Sequence, residues 1–282
     1  MRSLLHYSSI NNENAFLKAI MYSITEFDQI FDKIYPEQIN LKSFDSKEQL
    51  CPAIWRENNL RPIIRKRLLS IARDFIENLD ENMNIVAEDV VLVGSIAGFN
   101  WSKYSDIDLH IMVNYKKLEK YGTRETLKSL FDMKKNDWNS KHDILIYGYP
   151  VEMYIQGDDE PNASDGVYSV KYGQWIKIPS GGSEPVHKEL IKVQAARYIN
   201  IIDAIANAAE EATSVSRCVK LYNEMDRVHD EIVLGRREGL AADGESAAGN
   251  IVFKVLRRTG HLGMTNDIKR MLYDKIHNLG EK

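Results

Sequence analysis

The chain places several residue types suited to phosphate and metal chemistry at telling intervals. An apolar run, Val90 to Val93, ends at Gly94-Ser95, and after a spacer of ten residues come Asp106, Ile107, Asp108 and Leu109. Ile107, Leu109, Ile111 and Val113 alternate with Asp106, Asp108, His110 and Met112, the pattern of a half-buried strand. Side chains at i and i+2 of a strand share a face, their Cα atoms about 6.5–7 Å apart. Asp106 and Asp108 therefore stand together on the polar face. Carboxylates this close repel one another and need a compensating charge. Magnesium (or manganese) is the natural partner, a hard cation bound through one or two carboxylates and substrate phosphates. Two such ions about 3.5–4 Å apart can clamp the attacking and leaving oxygens of a phosphoryl transfer.

A third acid follows from the same logic. In Val151-Glu152-Met153-Tyr154-Ile155 the apolar residues face inward, which leaves Glu152 on the polar side. If this strand neighbours the first, three carboxylates meet on one surface. Asp143, at the start of the preceding strand, is the competing third acid, and Glu152 is preferred. Gly94 and Ser95 supply the complementary half. A strand ending in Gly-Ser at the start of a short helix lets backbone N–H groups, and the Ser95 hydroxyl, approach a phosphate. Lys103, in the loop before the acids, is a candidate phosphate contact. His110 shares the acid face and is read as a supporting or packed histidine. Tyr104 and Tyr154 are weaker candidates for stacking on a base.

The elements that must position these groups emerge from the rest of the chain. At 282 residues, 44% apolar and 28% charged, it has the composition of a globular protein with room for about two domains. Cys51 and Cys218 show no CxxC spacing, so neither a disulfide framework nor a thiolate zinc site is indicated and an intracellular, cytoplasmic setting is expected. The first residues lack the sustained apolar stretch of a signal peptide, and no apolar run is long enough to span a bilayer; no membrane partner is expected. A net charge of −4 argues against a chain that coats DNA, although residues 61–67 and 254–258 are locally basic. Helical spacing predicts helices over 13–35, 61–79 and 116–133. Residues 143–156 predict a hairpin turning at Gly148-Tyr149-Pro150, and 167–178 a second one. Residues 180–185 read as a linker. Beyond them the pattern is helical over 187–211, 214–238, 250–259 and 265–279, with 235–249 expected to be a loop. The fold class is α/β (α+β): a helical N-terminal extension at 1–50, an α/β domain at 51–180 and a helical domain at 186–282.

Val93-Gly94-Ser95, the spacer and Asp106-Ile107-Asp108-Leu109 resemble the signature of the polymerase-beta-type nucleotidyltransferases. The wider segments 94–111, 150–156 and 166–179, with 54–76 and 249–262, resemble a group of phage-encoded and bacterial nucleotidyltransferases of largely unassigned substrate. The resemblance covers about 51–282. It implies a nucleotidyltransferase core with a small mixed β-sheet flanked by helices, and two-metal transfer of a nucleoside monophosphate from a nucleoside triphosphate such as ATP, with pyrophosphate leaving. On that basis Asp106 and Asp108 hold both ions, Glu152 ligates the ion at the acceptor oxygen, and Gly94 and Ser95 hold the β- and γ-phosphates. The acceptor would be a hydroxyl of RNA, protein or a small molecule. The alternative is a catalytically weak nucleotide-binding or interaction protein of phage–host or toxin–antitoxin type.

Overall fold

The computed structural model describes residues 33–79, 83–162, 164–181 and 187–279. The helix expected over 13–35 lies outside them except for its last three residues, which are not helical.

One unit comprises residues 40–188 and 239–251. It opens with a small ladder, β1 (Trp55–Arg56) and β2 (Asn59–Leu60), and continues into α1 (Pro62–Leu79). Ile64, Leu68, Ile71, Phe75 and Leu79 recur every three or four residues and are all buried, which is why this stretch forms a helix with one apolar stripe. The period then drops to two. β3 (Asp89–Val93) is buried along most of its length, whereas β4 (Ile107–Val113) alternates strictly between buried and half-buried positions. β5 (Leu145–Ile146), β6 (Tyr149–Gly157), β7 (Val167–Ser169) and β8 (Gln174–Lys177) complete a six-stranded sheet in the order β5-β6-β4-β3-β7-β8. Only the β4–β6 pair is parallel. A parallel pair needs a crossover, and here it contains a short helix α2 (Tyr115–Leu118) and the long helix α3 (Arg124–Lys141).

The sheet is thus mixed and its two faces differ. One face buries Leu92, Ile107, Leu109, Ile111 and Met153 in a core shared with α1 and α3. Phe75 of α1 meets Trp138 of α3 edge to face, ring centres 5.5 Å apart. The other face has a small apolar cluster, Val91, Val93 and Val167 with Met112 beside them, and beyond it a row of polar side chains.

Three local expectations are corrected. The first hairpin turns at Tyr147-Gly148, both with positive φ (50° and 86°), as a two-residue hairpin of the favoured twist requires. Pro150 cannot adopt positive φ; it lies in β6 opposite Leu145. The helix expected at 116–133 is broken after Leu118 by a single 3-10 turn, and Thr123, accepting a hydrogen bond from the Thr126 N–H, caps a new helix that runs to Lys141. Trp138, buried in the core, anchors that extension. Residues 235–249 are largely helical rather than a loop: α5 (Val215–Asp243) continues through them, and a 3-10 turn leads into α6 (Ala248–Arg258). Glycine allows close packing here, since a Cβ on Gly239 would stand 3.1 Å from the Ala247 methyl.

The second unit, among the described residues, comprises 33–39, 189–238 and 252–279. α4 (Lys188–Glu211), α5 and α7 (His261–His277) contribute buried Ile199, Ile202, Met225, Val228, Ile268 and Leu272. A polar contact, His229 Nδ1 to Thr265 Oγ1 at 2.8 Å, ties α5 to α7. Among the described residues no helix is long and apolar enough to cross a membrane.

Candidate active site

The polar face of the sheet is built from three adjacent strands. β3 ends at Val93, which pairs with Asp108 of β4, and Asp108 pairs in turn with Glu152 of β6. Asp106 precedes β4 by one residue and, two back from Asp108, falls on the same face. Ligand oxygens of Asp106, Asp108 and Glu152 all lie within 4.8 Å of one another, and all three residues are half-buried. Asp143, the competing acid, is exposed ahead of β5 and is not part of this group. The core side chains fix the cluster. Ile107, Leu109 and Met153 are fully buried on the helical side, and a one-residue slip of either strand would send the acids into the core.

At Val93 the chain leaves the sheet through Gly94, whose backbone (φ 75°, ψ −168°) is accessible almost only to glycine. The conformation brings the Gly94 Cα against the Asp108 carboxylate: a Cβ at this position would overlap Asp108 Oδ2. Ser95–Ala97 then form a single 3-10 turn. Trp55 holds the turn from below, its indole N–H donating to the Ile96 carbonyl at 2.8 Å. Ser95 Oγ and Ser105 Oγ are 2.8 Å apart, and Ser105 Oγ also accepts from the Ser102 N–H at 3.0 Å. These contacts close the loop between the Gly-Ser turn and the acids into a compact unit. The Gly94 N–H donates to Ser164 Oγ at 3.1 Å. Lys103 is exposed, with its ammonium 4.9 Å from the Tyr104 ring centre.

No family model, curated protein or solved structure matches the chain.

The sequence pattern placed Tyr154 and His110 on the acid face but not the contacts they make. Tyr154, two residues beyond Glu152 on β6, donates its hydroxyl to Glu152 Oε2 at 2.7 Å. Burial, followed by that hydrogen bond and the negative charge of Glu152, pushes the phenol well above its usual pKa, so it remains a donor. His110 lies opposite Tyr154 in the β4–β6 register and shares a 2.7 Å hydrogen bond, through Nδ1, with Gln156 Oε1. Burial lowers the His110 pKa, the Gln156 contact opposes this, and Lys135 adds to the lowering. His110 is thus a supporting ring whose burial disfavours the charged form. Period-two patterning does put Tyr154 on the acid face, but which hydroxyl meets which oxygen depends on rotamers that no spacing encodes. Ser164 gave no signal, since it reaches Gly94 across 70 residues of chain.

Three converging carboxylates with no more than a few ångströms between their oxygens can hold a metal ion. An all-oxygen donor set selects hard cations such as magnesium, manganese or calcium over softer metals.

Proposed function

We propose that the chain is a metal-dependent nucleotidyltransferase that moves a nucleoside monophosphate from a nucleoside triphosphate to a hydroxyl acceptor and releases pyrophosphate. The observation that carries the reading is the alignment of the acidic group with the Gly94-Ser95 turn. Asp108 sits between Glu152 on one side and Gly94 on the other, so cation ligands and phosphate donors adjoin within one sheet face.

Two divalent ions, when bound, neutralise charge on the attacking and leaving oxygens of an in-line displacement. On this reading Asp106 and Asp108 hold both, and Glu152 completes the shell on the acceptor side. Glu152 would take the acceptor's proton as the acceptor oxygen bonds to the α-phosphorus and the bond from that phosphorus to pyrophosphate breaks. Gly94 N–H and the Ser95 hydroxyl would bind the triphosphate tail, exchanging their present partners Ser164 and Ser105 for phosphate oxygens. Positioning and charge neutralisation supply most of the rate in such transfers. The half-burial of all three acids favours this, because partial exclusion of water strengthens each electrostatic contact.

The test is incubation with each of the four α-labelled nucleoside triphosphates, in magnesium or manganese, together with total cellular RNA and protein. Label transfer and pyrophosphate release are expected, and Asp106→Ala or Asp108→Ala should abolish both. If no triphosphate yields either product, the proposal fails.

A further inference from the structure

The Glu152 carboxylate is held by a side chain of its own strand, Tyr154. Glu152 has three rotatable side-chain bonds and stands beside two other acids, so like-charge repulsion favours rotamers that swing it out of the cluster. The Tyr154 hydroxyl opposes this by donating to Oε2 at 2.7 Å, a charge-assisted bond that ties down one carboxylate oxygen and leaves Oε1 for a cation. The tyrosine is itself braced. Its ring meets the His110 ring, centres 5.0 Å apart and tilted by 40°, and the Lys135 ammonium lies 4.8 Å from its centre. His110 is fixed in turn by Gln156. The brace therefore runs across both strands that bear the acids, through side chains one pleat beyond them.

We propose that Tyr154 is a positioning residue, which holds Glu152 in its cation-binding rotamer so that the affinity of the triad for a divalent ion depends on a hydroxyl that never touches the ion. The inference rests on the reading of the triad as a metal site. Groups that orient metal ligands from outside typically contribute about 10–100-fold in affinity when removed.

Manganese titration of the full chain without nucleotide, followed by the electron paramagnetic resonance signal of free Mn²⁺, tests it. Asp108→Asn sets the background from unrelated sites. Tyr154→Phe keeps the ring and its packing, and should weaken Mn²⁺ binding about 10-fold. In a Glu152→Gln background the same substitution should change nothing further, because the hydroxyl acts only through that carboxylate. Equal affinity in the wild type and Tyr154→Phe, or an undiminished effect in Glu152→Gln, overturns the inference while leaving the metal site intact. A wild type that binds no Mn²⁺ overturns both. If Tyr154→Phe weakens binding but no variant transfers a nucleotide, the inference stands and the proposed reaction falls. Thermal melting of each variant identifies any loss that comes from unfolding.

Discussion

Gly94→Ala perturbs the junction on which the site depends, and its cost can be built from the structure. Gly94 has φ 75° and ψ −168°, a region where a non-glycine residue costs about 1–3 kcal/mol. The added methyl would also overlap Asp108 Oδ2 and lie 3.2 Å from its Cγ. The Asp108 carboxylate can escape only by leaving its rotamer, at about 0.5–1.5 kcal/mol. The sum is roughly 1.5–4.5 kcal/mol, a fall in Tm of about 3–18 °C for a domain of this size. Part of that sum belongs to the clash and part to the backbone, and Asp108→Ala separates them. With the carboxylate gone, the methyl meets nothing closer than the position-108 Cβ at 3.6 Å, so only the backbone part remains. Urea denaturation of the wild type, both single variants and the double variant, all in chelator, should give a coupling of about 0.5–1.5 kcal/mol. Mn²⁺ binding should be lost in Gly94→Ala because Asp108 has moved. Strict additivity, or a Gly94→Ala protein that binds Mn²⁺ like the wild type, would refute the argument that glycine is required here by the neighbouring acid.

Further outcomes are expected. Magnesium at 100 times its dissociation constant should stabilise the native state by about 2.7 kcal/mol, raising Tm by roughly 5–10 °C; in chelator, Asp108→Asn should melt above the wild type through relief of repulsion and should not respond to magnesium. Where Arg124 and Lys128 of α3 pair with Asp159 and Glu160 just after β6, Asp159 lies below its usual pKa through its bond to Arg124. Burial pushes Glu160 up, but hydrogen bonds from Lys128 and Arg124 outweigh it and leave it lowered. Carboxylates depressed on folding stabilise above their unfolded values, about pH 4, and that stability is lost as pH falls through the folded values. Arg124→Gln should therefore flatten the acid limb of a Tm-against-pH curve below about pH 5, and an unchanged limb would refute the assignment. His229 is lowered by burial, with Lys269 adding to this and Asp230 and Asp226 opposing it. Its contribution is complete above the unfolded value of about 6.5 and declines as pH falls through that value, so the slope of stability between about pH 7 and 5 should diminish in His229→Gln.

The acids were legible because strand periodicity is a two-state signal. Ile107, Leu109 and Ile111 could not be buried without placing Asp106 and Asp108 together, and Val151 and Met153 made the same demand of Glu152. The parallel pairing that sets Asp108 beside Glu152 was not legible, because it depends on a crossover of two helices whose packing against the sheet only the fold defines. Local expectations failed where one residue type serves two purposes. Gly235 and Gly239 read as a loop but lie inside α5, where the lack of a side chain at Gly239 admits Ala247. Gly148 marked a turn correctly, yet the turn includes Tyr147 rather than Pro150, since backbone handedness overrode the usual association of proline with turns. The Tyr154–Glu152 and Ser164–Gly94 contacts lay beyond reach because they are matters of rotamer and loop path.

The central claim is that Asp106, Asp108 and Glu152 jointly grip divalent cations beside a triphosphate. A crystal of the chain grown with Mn²⁺ and a non-hydrolysable nucleoside triphosphate, measured at the manganese absorption edge, tests it most directly. Two anomalous peaks about 3.5–4 Å apart are expected, both bonded to Asp106 and Asp108 and one to Glu152, with the triphosphate against Gly94 and Ser95. A nucleotide bound elsewhere, or a triad with no anomalous density, would contradict it.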